Sequence, residues 1–181
     1  MRVLTVCTHN RTRSVLMAAT LEYRLIDAGC QPSIVSGGFG AVGQPPTART
    51  VELLASRSID VSNHLSSAVD EHAVELAQLI VCAERTHVVN IAGRYPNSFA
   101  RTFTMPELAQ LGELVGPVNG DLNGWLERIT AHRLAGMDYL DADPDVIGEI
   151  RDPTGTAPSV WVDVFGHIDQ LAARIARVTA A

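Results

Sequence analysis

Cysteine is scarce in this chain, basic charge is outnumbered by acidic charge, and long apolar runs are missing altogether. The three cysteines, Cys7, Cys30 and Cys82, are an odd set that shares no close metal-ligand spacing with any histidine. They exclude a disulfide framework, argue for reduced thiols and leave a metal centre unexpected. Fourteen Lys and Arg against 20 Asp and Glu give a net charge of -6, so there is no electrostatic case for nucleic acid as a partner and any anion site must be local. No segment approaches the about 20 apolar residues that span a bilayer, and the apolar stretch 3–6 is far too short for a secretory signal. A cytoplasmic protein without a membrane partner is expected, and the glycosylation match at Asn10-Arg11-Thr12 then carries no weight. Repeats and low-complexity tracts are lacking too.

What is present suits one core: 181 residues, 46% of them hydrophobic, suffice for a single domain over 1–181 and are too few for two comfortable ones. Strands are expected at 2–6, 33–35, 79–82 and 101–104, and helices at 14–27, 47–55, 74–76, 84–92 and 160–178. Gly37-Gly38-Phe39-Gly40 reads as a loop. Strands alternating with helices predict an α/β fold in three layers, a central parallel sheet of about four strands with helices on both faces. At 106–145 the pattern changes into a helical elaboration, with Leu122, Trp125, Leu126 and Ile129 on one face and then an acidic run. This segment is expected to wall or cover the functional site.

The chemistry concentrates in Cys7-Thr8-His9-Asn10-Arg11-Thr12-Arg13-Ser14, between the first strand and the first helix. Backbone N–H groups of such a turn form an anion nest, and the helix start adds unpaired amides and the positive end of its dipole. A cysteine at the base of that nest is stabilised as thiolate by the surrounding donors and by Arg13, and becomes a nucleophile. Arg13 can clamp two phosphoryl oxygens, and Ser14 can donate to the departing sulfur. A cysteine closing a strand is often just a small buried hydrophobe; the strand–loop–helix setting is what favours chemistry.

This segment resembles the low-molecular-weight protein tyrosine phosphatase family, whose signature C-x-x-N-x-x-R-S is met by Cys7, Asn10, Arg13 and Ser14. The likeness continues in Ser36-Gly37-Gly38, Gly43-Gln44-Pro45, His64 and Asp152-Pro153, nearly the whole chain except 106–145. The resemblance implies a phosphate loop after strand 1, a phosphomonoester hydrolase working through a cysteinyl-phosphate, and no cofactor. It also implies Asn10, Ser14, Ser36 and His64 as the network that keeps the loop rigid. Phosphorylated protein or a small phosphomonoester would be the substrate, with inorganic phosphate and other oxyanions as ligands. Departures are His9 for a common glycine, Thr12 for a second cysteine, Val15 for a proline, Ala18 for a glutamate behind the histidine, and Thr154 for an aromatic. The last removes an aromatic grip on a phenyl ring.

A phosphomonoesterase also needs a proton donor over the loop. Of two Asp-Pro pairs, Asp152-Pro153 precedes the last helix as the resemblance requires, whereas Asp143-Pro144 reads as a solvated turn. Cys30 and Cys82 are expected to be inert, His87 a helix-surface residue and His64 a structural one. Rival readings are an arsenate reductase completed by an external thiol and a catalytically weak phosphate-binding module.

Overall fold

The computed structural model describes residues 1–180. Four strands, β1 (Arg2–Cys7), β2 (Ser33–Gly38), β3 (Leu79–Cys82) and β4 (Thr102–Thr104), pair in parallel in the order β2-β1-β3-β4. Both sheet faces are covered, so β1 and β3 are apolar nearly throughout. Val3 and Cys7 of β1 with Leu79 and Val81 of β3 enter one core, while Leu4, Val6, Ile80 and Cys82 enter the other, following the period-two alternation of a strand.

The first core is closed by α1 (Arg13–Asp27), α2 (Ala48–Ala55), α5 (Met105–Val115), α6 (Leu122–Ala131) and α9 (Pro158–Thr179). The second is closed by α3 (Glu71–Leu76), α4 (Arg85–Arg94), α7 (Gly136–Asp141) and α8 (Pro144–Ile147). The long α9 lies along α1 and α5 through Val164, Ile168, Leu171 and Ile175, as its helical spacing predicts.

Three expectations need correction. Gly37 and Gly38 belong to β2 rather than to a loop. A Cβ on Gly38 would stand 2.8 Å from the Asn10 nitrogen and 2.9 Å from the Thr8 carbonyl oxygen, so this glycine serves close approach, not a turn. Trp125 does not wall a site: it is fully buried, its ring against Gly112 and its Nε1 donating to the Gly116 carbonyl at 2.8 Å. His87 is not on the surface but buried.

The stretch after α6 is anchored by Arg133, whose buried guanidinium donates to both oxygens of Glu107 at 2.7 and 3.1 Å and to the Phe99 carbonyl at 2.7 Å. The rings of Phe99, Phe103 and Tyr139 surround it with centroids 4.1, 4.4 and 4.9 Å away. A buried cation demands such complete pairing. From there the chain crosses the carboxyl ends of β3 and β4 on its way to Asp152: Thr104 Oγ1 donates to the Ile147 carbonyl at 3.4 Å and the Ile150 N–H to the Ala83 carbonyl at 2.7 Å.

Candidate active site

Cys7 is the last residue of β1 and Arg13 the first of α1. Between them Asn10 adopts φ 52, a left-handed backbone that Asn tolerates better than most residues. Its side chain is buried and fully engaged: Nδ2 donates to Ser14 Oγ at 3.0 Å and Ser36 Oγ at 2.8 Å, and Oδ1 accepts from the Ser67 N–H at 2.8 Å. His64 Nε2 donates to the Asn10 carbonyl at 2.8 Å. Ser14 Oγ, already accepting from Asn10, lies 3.1 Å from Cys7 Sγ and can give its own proton to the sulfur. Ser36 and His64 thus both bond to Asn10. Thr5 Oγ1 adds a bond to the Ser14 carbonyl at 2.8 Å.

The loop is braced on its other flank through Thr8. Its carbonyl accepts the N–H groups of Phe39 and Gly40, both at 2.8 Å, and its Oγ1 lies 3.1 Å from His87 Nε2. The Glu84 N–H donates to His87 Nδ1 at 3.2 Å, which makes Nε2 the protonated nitrogen and the donor to Thr8. Burial, partly offset by Glu84, pushes the His87 pKa down to about 4, so the ring is neutral near pH 7. Phe39 stacks on it at 5.8 Å between centroids.

Arg13 is 3% exposed. Its Nη1 pairs with the Glu84 carboxylate and donates to the Ile150 carbonyl at 3.2 Å, and its Nη2 donates to Asp152 Oδ2 at 2.9 Å. Asp152 Oδ1 accepts the Thr154 N–H at 2.9 Å. Partial burial opposes ionisation of Asp152, but the Thr154 bonds, Arg13 and His9 outweigh it and hold the carboxyl below its usual range. Asp143, by contrast, is exposed and accepts the Asp145 N–H in a turn of its own. Of the two candidate acids, Asp152 is the one that meets the loop's arginine.

Other loop positions face outward or sideways. Arg11 Nε donates to the Pro45 carbonyl at 2.7 Å and Thr12 Oγ1 lies 3.2 Å from Thr47 Oγ1, tying the loop to the segment before α2. His9 is exposed, and a Cβ on Gly40 would fall 2.6 Å from its Nδ1. Cys82 is buried and its thiol pushed well up by desolvation, and Cys30 is free. Among the described residues no group of three or more His, Cys, Asp or Glu could hold a metal ion, and no helix is long and apolar enough to cross a membrane.

Sequence reasoning missed Glu84, His87, Ser67 and Thr5. For Glu84 a signal existed: it follows β3, next to β1 in the sheet, and ligands of open parallel sheets sit beyond the carboxyl ends of such strands.

The profile of the family described as "Low molecular weight phosphotyrosine protein phosphatase" matches residues 2–130. The chain belongs to this family. It is therefore a cysteine-dependent phosphatase, a phosphomonoester hydrolase of the low-molecular-weight type. The "Probable low molecular weight protein-tyrosine-phosphatase EpsP" of Ralstonia nicotianae is 28% identical over 128 residues, 70% of this chain and 85% of the relative. The "Protein-arginine-phosphatase" of Bacillus subtilis is 27% identical over 126 residues, 68% and 83% of the two. A low-molecular-weight protein tyrosine phosphatase from T. tengcongensis superimposes with TM-score 0.70 at 23% identity, covering 97% of each chain, which shows that the phosphatase fold extends beyond the profile match. The relation to arsenate reductases is not shown by these relatives.

Proposed function

We propose that Cys7 is the nucleophile of this phosphatase, Arg13 its phosphoryl clamp and Asp152 its general acid and base. The observation that carries this reading is a single guanidinium, fixed in the phosphate loop, with Asp152 Oδ2 2.9 Å from its Nη2. The Cys7 thiolate attacks phosphorus in line, the P–S bond forms as the P–O bond to the leaving group breaks, and the Asp152 proton goes to the leaving oxygen. In the second step Asp152 takes a proton from water, whose oxygen attacks phosphorus. The P–S bond breaks, inorganic phosphate leaves, and Ser14 donates to the returning thiolate. Asp152 must first gain a proton, although Arg13 favours its ionised form. A phosphoryl dianion competes for Nη2 and adds negative charge, so substrate itself raises the affinity of Asp152 for that proton.

The family points to phosphorylated protein as substrate. We read the side chain as phosphotyrosine. Phosphate, sulfate and vanadate present the same tetrahedral oxygens to the nest and to Arg13. Buried Cys82 is a poor resolving thiol, which counts against arsenate reduction.

The test is turnover of p-nitrophenyl phosphate and of phosphotyrosyl and phosphoarginyl peptides, with vanadate as competitor, beside arsenate with glutathione. Competitive vanadate inhibition and preference for the phosphotyrosyl peptide are expected. Turnover indifferent to millimolar vanadate, preference for phosphoarginine, or arsenate reduction without phosphatase activity would each contradict part of the reading.

A further inference from the structure

Asp152 reaches Arg13 at the end of a segment whose regular structure is limited to the short α7 and α8, and such a segment holds a fixed position only where it is tied down. Besides the Thr104 bond to the Ile147 carbonyl, its ties converge on three consecutive residues at the start of α4. The Ala83 carbonyl accepts the Ile150 N–H at 2.7 Å, Glu84 pairs with Arg13, and Arg85 takes the rest. The Arg85 N–H donates to Glu149 Oε1 at 2.9 Å, and its Nη1 donates to the carbonyls of Ala142 and, at 3.4 Å, Tyr139, near the carboxyl end of α7. Cations suit helix carboxyl ends, and the planar fork of Arg can serve two carbonyls at once. Arg85 and Glu149 bond to each other and to α7 rather than to the phosphate loop, yet the segment they hold supplies both the Ile150 carbonyl and the Asp152 carboxylate to Arg13.

We propose that Arg85 is a positioning residue for the acid: by binding residues 139–149 to the start of α4 it sets where Asp152 stands over the loop. The inference rests on the assignment of Asp152 above. It predicts a selective defect. Binding and attack depend on Cys7, Arg13 and the nest, whereas only proton delivery depends on the placement of Asp152, and misplacement by an ångström can cost about 100-fold.

The experiment compares kcat/KM for phenyl phosphate, whose leaving group needs the proton, with p-nitrophenyl phosphate, whose leaving group needs it less. Vanadate inhibition is measured alongside. Arg85→Met should lower kcat/KM for phenyl phosphate by about 10- to 100-fold, lower that for p-nitrophenyl phosphate much less, and leave vanadate inhibition unchanged. Arg85→Lys should recover part of the loss. Equal losses on both substrates, weakened vanadate inhibition, or no change would overturn the proposal. Should Arg85→Met fail to fold, Glu149→Ala loosens the same segment without touching the guanidinium, and the same selective pattern is expected of it. Asp152→Asn serves as the reference. If that variant does not discriminate between the two substrates, the acid assignment falls and Arg85 with it; if it discriminates and Arg85→Met and Glu149→Ala do not, the positioning role alone falls.

Discussion

The phosphate loop and the segment that brings Asp152 to it differ in how they are held. In the loop Asn10, Ser14 and Arg13 are buried, and each has at least two partners. In the acid segment the Asp152 side chain is 43% exposed, and its partners are Arg13 and the N–H two residues on. On the proposed assignment the difference follows from what each region does. Oxyanion binding works best when donors are already aimed and need no reorganisation, whereas a proton donor must let substrate in, protonate the leaving oxygen and meet water. Substitutions in the loop should therefore abolish chemistry or stability outright, and substitutions in the acid segment should cost in proportion to the leaving group's need for a proton.

The sharpest break is Cys7→Ser. A hydroxyl in the same nest is not ionised near neutrality, so turnover of every phosphomonoester should fall to background while phosphate still binds, as titration calorimetry can check. Next is Asp152→Asn, which keeps shape and removes the proton. It should cost about 10²–10⁴-fold on alkyl phosphates and much less on p-nitrophenyl phosphate. If Asp143→Asn shows that pattern instead, the wrong aspartate holds the acid role.

Smaller, and confined to the loop, is Asn10→Ala. It strands Ser36, Ser14 and the Ser67 N–H and puts Ala at a positive φ, which should cost about 1–3 kcal/mol. A chain of this size loses about 2–4 °C in Tm for each kcal/mol. An unchanged Tm would show that the loop does not depend on this network.

An effect confined to acid pH belongs to His87. Its folded pKa of about 4 lies below the ordinary 6.5, so the unfolded chain takes up a proton on acidification before the folded one does. Its contribution to stability is complete above pH 6.5 and is lost as pH falls toward 4. The neutral variant His87→Gln should flatten the decline of Tm over that window; identical profiles would mean that His87 is not held neutral.

Legibility in the sequence followed the range of the contacts. β3 lies at 79–82 as its apolar run predicts, and the loop is read from Cys7, Asn10, Arg13 and Ser14 because strand, nest and helix start are consecutive. Asp152 lies 139 residues from Arg13 and was reachable only through family resemblance. Glu84, 71 residues away from Arg13, had no motif, and only its place just after β3 pointed to it. His87 sits on a helix whose period gives no warning of burial, because it is the approach of Thr8, 79 residues distant, that covers it. Trp125 misled for a similar reason: an apolar helical face fits a lid and a core equally well until Gly112 makes room for the ring.

The most direct test of the account is to stop the enzyme in mid-turnover. Wild-type protein mixed with p-nitrophenyl phosphate and denatured within milliseconds should yield, by intact mass and peptide mapping, one phosphoryl group on the peptide that contains Cys7. Asp152→Asn, impaired in activating water, should accumulate more of it. Phosphate found on another residue, or no covalent adduct in a sample that releases p-nitrophenol in a burst, would contradict the assignment of Cys7 as nucleophile.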